Sequence, residues 1–210
     1  MSRHAEAMRR SLLLCCGLLL IAACATTARV SQTPLGVQAQ EALLRELPGF
    51  RIQGRSAITA GGERSQPGLD WRQKAAESRL KLSGTLGVGG VTLVYSPERL
   101  LVTGSRGEEL RDAEAQQVLS EQLGFVPPFD ALRYWLLGLP APGEAPTQQV
   151  AGENGRVADM TQLQWRIQYD RWTEVATPSG IVQLPKRLTA TRADLKLSVF
   201  VDRWTLQPGK

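Results

Sequence analysis

Apolar and polar residues alternate through most of the chain after residue 50, and this period of two constrains the fold more than any other feature. Phe50 and Ile52 begin the pattern, Leu80 and Leu82 continue it, and the segment 195–201 ends it. Glycine, proline and serine interrupt it at short intervals, as expected at turns between antiparallel strands that bury one face. The sequence therefore predicts about four or five consecutive strands and, further along, a second group of strands.

Three segments instead have the apolar spacing of amphipathic helices. The first covers residues 38–47. The second covers residues 112–122, with Asp112 in a position to cap it. The third opens at Pro128 and ends at Gly138, which is the order in which proline and glycine bound a helix. The predicted helices therefore lie mostly between the two groups of strands.

This order of elements indicates one large curled sheet, mainly β with α, whose concave side the helices can cover. The polar stretch 141–154 is predicted to be a loop. Because no internal repeat or second domain is visible, residues 38–210 are predicted to form a single domain. Periodicity alone does not distinguish a curled, barrel-like sheet from a sandwich of two sheets.

The N-terminus has the pattern of an export signal. A basic start precedes an apolar run at 12–21, which is too short to span a bilayer, and Ala22 and Ala23 then lead to Cys24. This arrangement resembles the bacterial lipoprotein signal, in which the cysteine becomes the lipid-modified first residue. An ordinary signal peptide that happens to contain cysteines is the alternative.

The lipoprotein signal implies a specific organisation of the N-terminus. Residues 1–23 would be the signal peptide, and residues 24–37 would be a lipidated N-terminus with a flexible tether. Two or three acyl chains on Cys24 would hold the protein on a membrane almost permanently. Since Ala25 is not the aspartate that commonly retains such proteins at the inner membrane, we expect the outer membrane, facing the periplasm.

Composition argues against an enzyme. The single histidine, His4, and the cysteines other than Cys24 lie in the predicted signal, so the mature chain would have no imidazole and no free thiol. This excludes Ser/His/Asp and Cys/His nucleophiles, disulfides, and the usual ligands of zinc or copper. The glycine-rich segment 84–90 fits no phosphate-binding spacing. We therefore expect no catalytic residue, no metal and no cofactor, although a hydrolase that uses carboxylates alone stays formally open.

Charge argues against nucleic acid as a partner. Removing residues 1–23 takes away three arginines and one glutamate, so the net charge falls from +5 to +3. The mature chain has no block of lysine and arginine and no basic stripe interleaved with aromatic residues. Part of the basicity therefore belongs to the signal.

Eight different short motifs follow one another along the mature chain. The motifs are GRSA at 54–57, LDWRQ at 69–73, LKL at 80–82, TLG at 85–87, LRYWLLGLP at 132–140, QWRIQY at 164–169, LP at 184–185 and DRWTL at 202–206. In this order, and with the lipoprotein cysteine, they resemble the LolB family of outer-membrane lipoprotein receptors in the bacterial lipoprotein localisation pathway. The resemblance covers nearly the whole mature chain.

The resemblance implies a fold and a function. The fold would be an unclosed antiparallel β-barrel, a curled sheet of about 10–11 strands with helices covering an apolar cavity. The protein would accept lipoproteins from the periplasmic carrier LolA and insert them into the inner leaflet of the outer membrane. Its partners would be LolA, the acyl chains of lipoproteins and outer-membrane phospholipid, and we expect a monomer.

The resemblance also gives Leu86 a role. In the family, the leucine at this position protrudes and assists delivery into the bilayer. Here Leu86 follows Thr85, where the family usually has proline, and lies in a glycine-rich segment that predicts an exposed hairpin tip. An isolated exposed leucine is the alternative interpretation. Residues 172–180 have the character of a variable loop.

A carrier of acyl chains needs a lined apolar cavity, and the inward-facing positions of the predicted strands and the third helix provide candidates. The candidates are Leu69, Trp71, Leu80, Leu82, Val91, Leu93, Leu132, Trp135, Leu136, Leu195, Leu197 and Val199. For each residue taken alone, an ordinary filled core is the alternative. For the whole protein, the alternatives are a lipid-anchored barrel that binds another apolar ligand and a structural envelope lipoprotein.

Overall fold

A computed structural model of the protein describes residues 33–84, 90–152 and 155–207, without the side chains of Gln122 and Leu123. The helices are α1 (Val37–Arg45), α2 (Asp112–Leu123) and α3 (Phe129–Leu136). The strands are β1 (Gly49–Ala60), β2 (Glu63–Ser65), β3 (Gly68–Lys74), β4 (Glu77–Ser83), β5 (Val91–Ser96), β6 (Arg99–Thr103), β7 (Glu109–Arg111), β8 (Gln148–Ala151), β9 (Val157–Gln162), β10 (Trp165–Thr177), β11 (Gly180–Arg192) and β12 (Leu195–Leu206).

The strands form one 12-stranded sheet in which every ladder is antiparallel. Their order is β7-β6-β5-β4-β3-β1-β12-β11-β10-β9-β8, with β2 attached to β1. Within the described ranges β7 and β8 end the sheet and do not pair with each other. The predicted fold class, mainly β with α and an unclosed antiparallel sheet, is therefore confirmed.

The first and last of the described strands meet in the middle of the sheet. There β1 pairs with β3 on one side and with β12 on the other. Gly54 in β1 has no room for a side chain, since a Cβ there would lie 2.0 Å from the carbonyl oxygen of Phe200. Beside this contact β12 carries a bulge at Asp202, so Trp204 and Val201 both share the face of their β1 partners. The bulge keeps Val199 on the inner face as well, in register with β1.

Three local predictions differ from the structure. The stretch predicted as a loop at 141–154 contains β8, a short and fully exposed edge strand with little apolar pattern. The segment 172–180 is an ordinary hairpin, since β10 runs to Thr177 and β11 starts at Gly180. Asp112 makes no capping hydrogen bond to the helix, because its carboxylate accepts instead from the backbone N–H of Leu100 at 2.9 Å. Among the described helices, none is long and apolar enough to cross a membrane.

The outer face of β1 and β3 carries a cross-strand ion pair. The Nη2 and Nε atoms of Arg51 donate to the Asp70 carboxylate at 2.5 and 2.9 Å, and Arg72 lies 3.7 Å away. The hydrogen bonds from Arg51 lower the pKa of Asp70, against the opposing effect of burial. This pair joins the two strands diagonally, because Arg51 is opposite Arg72 and Asp70 is opposite Gln53.

We expect the Asp70→Asn variant to lose less stability in acid than the wild type. The pKa of Asp70 is lower in the folded than in the unfolded protein, so its contribution is present above the unfolded value, about 3.9. The contribution is lost as the pH falls through the folded value. Urea unfolding at pH 6, 5, 4 and 3 should show a smaller fall in the free energy of unfolding for the variant. An equal fall in the free energy of unfolding for the variant and the wild type would contradict a stabilising contribution from the ionised Asp70 carboxylate.

Candidate apolar cavity

A cavity of about 280 Å³ lies between the inner face of the sheet and helices α2 and α3. The sheet contributes Ser56, Ile58, Leu69, Trp71, Leu80, Leu82, Val91, Leu93, Val102, Leu197 and Val199. The helical side contributes Val118, Leu119, Pro127, Phe129 and Leu132. Within the described part of the chain, Ser56 is the single polar residue on this wall. The wall therefore suits an apolar guest.

Strand register explains why the wall is so uniformly apolar. Trp71 pairs with Leu80, which in turn pairs with Leu93, and Leu93 pairs with Val102. One inward position on each of four neighbouring strands is therefore filled by a large apolar side chain. Directly opposed positions point to the same face of a sheet, so these rows form a continuous surface.

The structure brings nine of the twelve sequence-predicted lining residues together on this wall. They are Leu69, Trp71, Leu80, Leu82, Val91, Leu93, Leu132, Leu197 and Val199. Trp135, Leu136 and Leu195 lie elsewhere. Cys24 and Leu86 are outside the described residues.

Trp135, Leu136 and Leu195 lie away from the cavity because of the positions of α3 and of the start of β12. Trp135 is completely buried and packs at 6.4 Å against the ring of Trp165 in β10. Leu136 follows it in the core, and Leu195 is half-buried at the start of β12, next to Gly124. Spacing along one helix indicates which residues are buried, but it does not indicate which of two buried surfaces each one reaches.

Some lining residues were not predicted from the sequence. Val118 and Leu119 of α2 belong to the predicted helical pattern, and Val102 belongs to a predicted strand, but none was assigned to a cavity. The sequence pattern does distinguish Ser56 from its neighbours. It lies between Gly54 and Ile58 at an inward position of β1, where the alternation predicts an apolar residue.

Helix α3 is held to the sheet by hydrogen bonds at several points. The indole Nε1 of Trp135 donates to Oε1 of Gln162 in β9 at 2.7 Å, and the hydroxyl of Tyr169 donates to the Trp135 carbonyl oxygen at 2.8 Å. On the other side, the hydroxyl of Tyr95 in β5 donates to the Asp130 carboxylate. Burial, reinforced by this bond, raises the pKa of Tyr95 to about 12. Helix α3 is therefore fixed to strands in both halves of the sheet.

Helix α2 is held by fewer polar contacts. Among the described residues, one hydrogen bond joins a side chain of α2 to another element. It runs from the Leu100 N–H to the carboxylate of Asp112, the first residue of the helix. Gln117 donates to Glu121 within the helix, and among the described side chains of α2 Ala115 and Leu119 are buried and Val118 is half-buried. The helix lies beside β6 and β7, at the free edge of the sheet. It therefore covers the cavity mainly through apolar contact.

A larger pocket, about 580 Å³, lies between α1 and the ends of β10 and β12. Its wall mixes apolar residues with Glu46, Thr177, Ser179 and Gln207. The smaller cavity is the better candidate site, because its wall is almost entirely apolar and combines the sheet with two helices. The lining side chains that the structure describes are not titratable, so this wall is suited to binding apolar groups.

The family model and the sequence relatives agree on one family. The family model described as "Outer membrane lipoprotein LolB" matches residues 48–204. The LolB of Alkalilimnicola ehrlichii is 31% identical over 205 residues, which cover 96% of this chain and 100% of the relative. The LolB of Nitrosococcus oceani is 31% identical over 171 residues, which cover 80% of this chain and 82% of the relative.

Solved structures include a LolA superfamily protein from Nitrosomonas europaea that aligns with a TM-score of 0.49 at 11% identity. The alignment covers 84% of this chain and 96% of that chain.

Proposed function

Because the chain belongs to the LolB family of outer-membrane lipoproteins, we propose that it is the receptor that takes lipoproteins from the periplasmic carrier LolA and inserts them into the outer membrane. The apolar cavity between the sheet and the two helices is the observation that supports this proposal most directly. Lipid attached to Cys24 would keep the receptor at the membrane, and Leu86 would assist insertion. Both residues lie outside the described ones.

The volume of the cavity indicates that the receptor has to open. About 280 Å³ lies at the lower limit of small-molecule sites, which span roughly 300–1,000 Å³, whereas a lipoprotein presents several acyl chains. Helix α3 is hydrogen-bonded to strands in both halves of the sheet, whereas α2 mainly makes apolar contacts. We therefore propose that α2 moves away from the cavity while α3 stays in place. Movement at the free edge, next to β7, breaks few hydrogen bonds.

Transfer through such a cavity proceeds downhill in free energy. Since the cavity wall that the structure describes is apolar, transfer without an energy source requires the receptor to bind acyl chains more tightly than the carrier does. The membrane in turn has to bind them more tightly than the receptor. An apolar wall can supply this graded affinity without covalent chemistry, because burial of each methylene contributes about 0.8 kcal/mol.

Handover of cargo is the direct test of the proposal. The full chain with Cys24→Ala, which cannot be lipidated, is mixed with LolA that carries a labelled lipoprotein, and the two proteins are then separated. We expect the label to move to the receptor. Label that stays on the carrier, while the receptor still binds a fluorescent apolar probe, would identify a binder of some other apolar ligand and contradict the proposal.

Filling the cavity should block acyl binding. Val91 lies on the wall in β5, so Val91→Trp places an indole in the space that an acyl chain would occupy. We expect displacement of a fluorescent apolar probe by an acylated peptide to weaken by at least about tenfold, or about 1.4 kcal/mol.

Thr92→Trp is the matched control for this prediction. Thr92 is the next residue of the same strand, and its side chain lies on the outer face beside Arg79 and Lys81. The control should bind the acylated peptide like the wild type. If both tryptophan variants bind normally, the acyl chains bind elsewhere.

A further inference from the structure

Ser56 is a polar residue in an otherwise apolar cavity, and its hydroxyl is unsatisfied. The residue is 4% exposed, and in the described part of the chain its Oγ has no hydrogen-bond partner. Its backbone N–H is used normally, since it donates to the Pro67 carbonyl oxygen at 2.9 Å. A buried hydroxyl without a partner costs stability, so each such group in a folded protein requires an explanation.

The other described side chains of the cavity wall around Ser56 are apolar. Its partner across the β1–β12 ladder is Val199, and the next inward position of β1 is Ile58. A trapped water would satisfy the hydroxyl poorly, because a buried water needs about two to four polar partners and this wall provides one side chain. A guest that brings one hydrogen-bond acceptor on a long apolar body fits the wall better.

We propose that, when the cavity opens to admit a guest, the Ser56 hydroxyl donates a hydrogen bond to the carbonyl oxygen of an acyl group bound there. This inference rests on the proposed function, which places acyl chains there, and it adds a polar contact that fixes the depth at which a chain is bound. An acyl chain carries its carbonyl, ester or amide, at one end. The hydroxyl therefore discriminates an acyl chain from a plain hydrocarbon of the same length.

The test compares three single-chain probes on the full chain carrying Cys24→Ala. Methyl decanoate supplies an ester carbonyl, N-methyl decanamide supplies an amide carbonyl, and decyl chloride has a similar body without a strong acceptor. Each probe displaces a fluorescent apolar dye from the wild-type cavity and from the Ser56→Ala cavity. We expect Ser56→Ala to weaken binding of a carbonyl probe by about two- to tenfold and to leave binding of decyl chloride unchanged or stronger.

The infrared stretching frequency of the probe's carbonyl is a second measurement, and a packing defect alone does not change it. With carbon-13 at the carbonyl, the infrared stretch of the bound probe should lie at lower frequency in the wild type than in Ser56→Ala. An effect on the ester or on the amide alone identifies which linkage is recognised, and either result supports the contact. Equal affinities and equal frequencies in the two proteins would overturn it.

Ser198→Ala is the matched control. Ser198 is also a buried serine, 4% exposed, but its hydroxyl is 3.2 Å from that of Thr189 and it does not line the cavity. This variant should bind all three probes like the wild type. Failure of every probe to bind the wild type would count against the proposed function itself, whereas binding without preference for a carbonyl would count only against the role of Ser56.

Discussion

Leu86→Glu should abolish insertion of lipoproteins into the bilayer while folding and cargo uptake stay close to normal. Leu86 belongs to the connection between β4, which ends at Ser83, and β5, which begins at Val91. If the leucine enters the hydrocarbon during delivery, its removal forfeits about 1.5–3 kcal/mol. A carboxylate at that depth adds a further cost of about 2.5–3.5 kcal/mol.

Either contribution alone slows delivery by about tenfold or more. The measurement is transfer of a labelled lipoprotein from the loaded receptor into liposomes, with cargo uptake from LolA measured in parallel. Val150→Glu is a suitable control, since Val150 is 47% exposed on edge strand β8. We expect the control to deliver cargo normally. Wild-type delivery by Leu86→Glu would remove this leucine from the mechanism.

Most of the sheet could be predicted from the sequence because its two faces differ so strongly. The inner face of β3 carries Leu69 and Trp71 while the outer face carries Asp70 and Arg72, and burial follows the same alternation. Such a strand has only one register that buries its apolar residues. The short edge strands β7 and β8 do not bury a face in this way, so the sequence pattern predicts a loop where β8 forms.

The division of the interior into a hollow and a filled part could not be predicted. Leu132 and Trp135 are one helical turn apart and both are buried, but Leu132 reaches the cavity whereas Trp135 packs against β9 and β10. This difference depends on how α3 is rotated against the sheet. The contacts that set the rotation come from residues distant in sequence, chiefly Gln162 and Tyr169. Alternation identifies Gln162 only as a polar residue at the end of a strand.

Gln162→Leu should be among the most destabilising single substitutions in the protein. The side chain is completely buried and all four of its hydrogen-bonding positions are used. Its Oε1 accepts from Trp135 Nε1 at 2.7 Å and from the Ala141 N–H at 2.9 Å. Its Nε2 donates to the carbonyl oxygens of Ala141 at 2.8 Å and Glu144 at 2.5 Å. Leucine leaves these buried partners unsatisfied, so we expect a loss of about 3–5 kcal/mol in the free energy of unfolding.

Urea unfolding followed by tryptophan fluorescence measures this loss, and Gln168→Leu is the matched control. Gln168 lies on β10 with its side chain exposed and bonded only to Asp159, so its replacement should change stability by no more than about 0.5 kcal/mol. Because Gln162 joins α3 to β9, its loss should also loosen the helix that covers the cavity. Dye uptake by the folded variant should therefore be faster than in the wild type. A stable Gln162→Leu protein with unchanged uptake would show that apolar packing alone holds α3 in place.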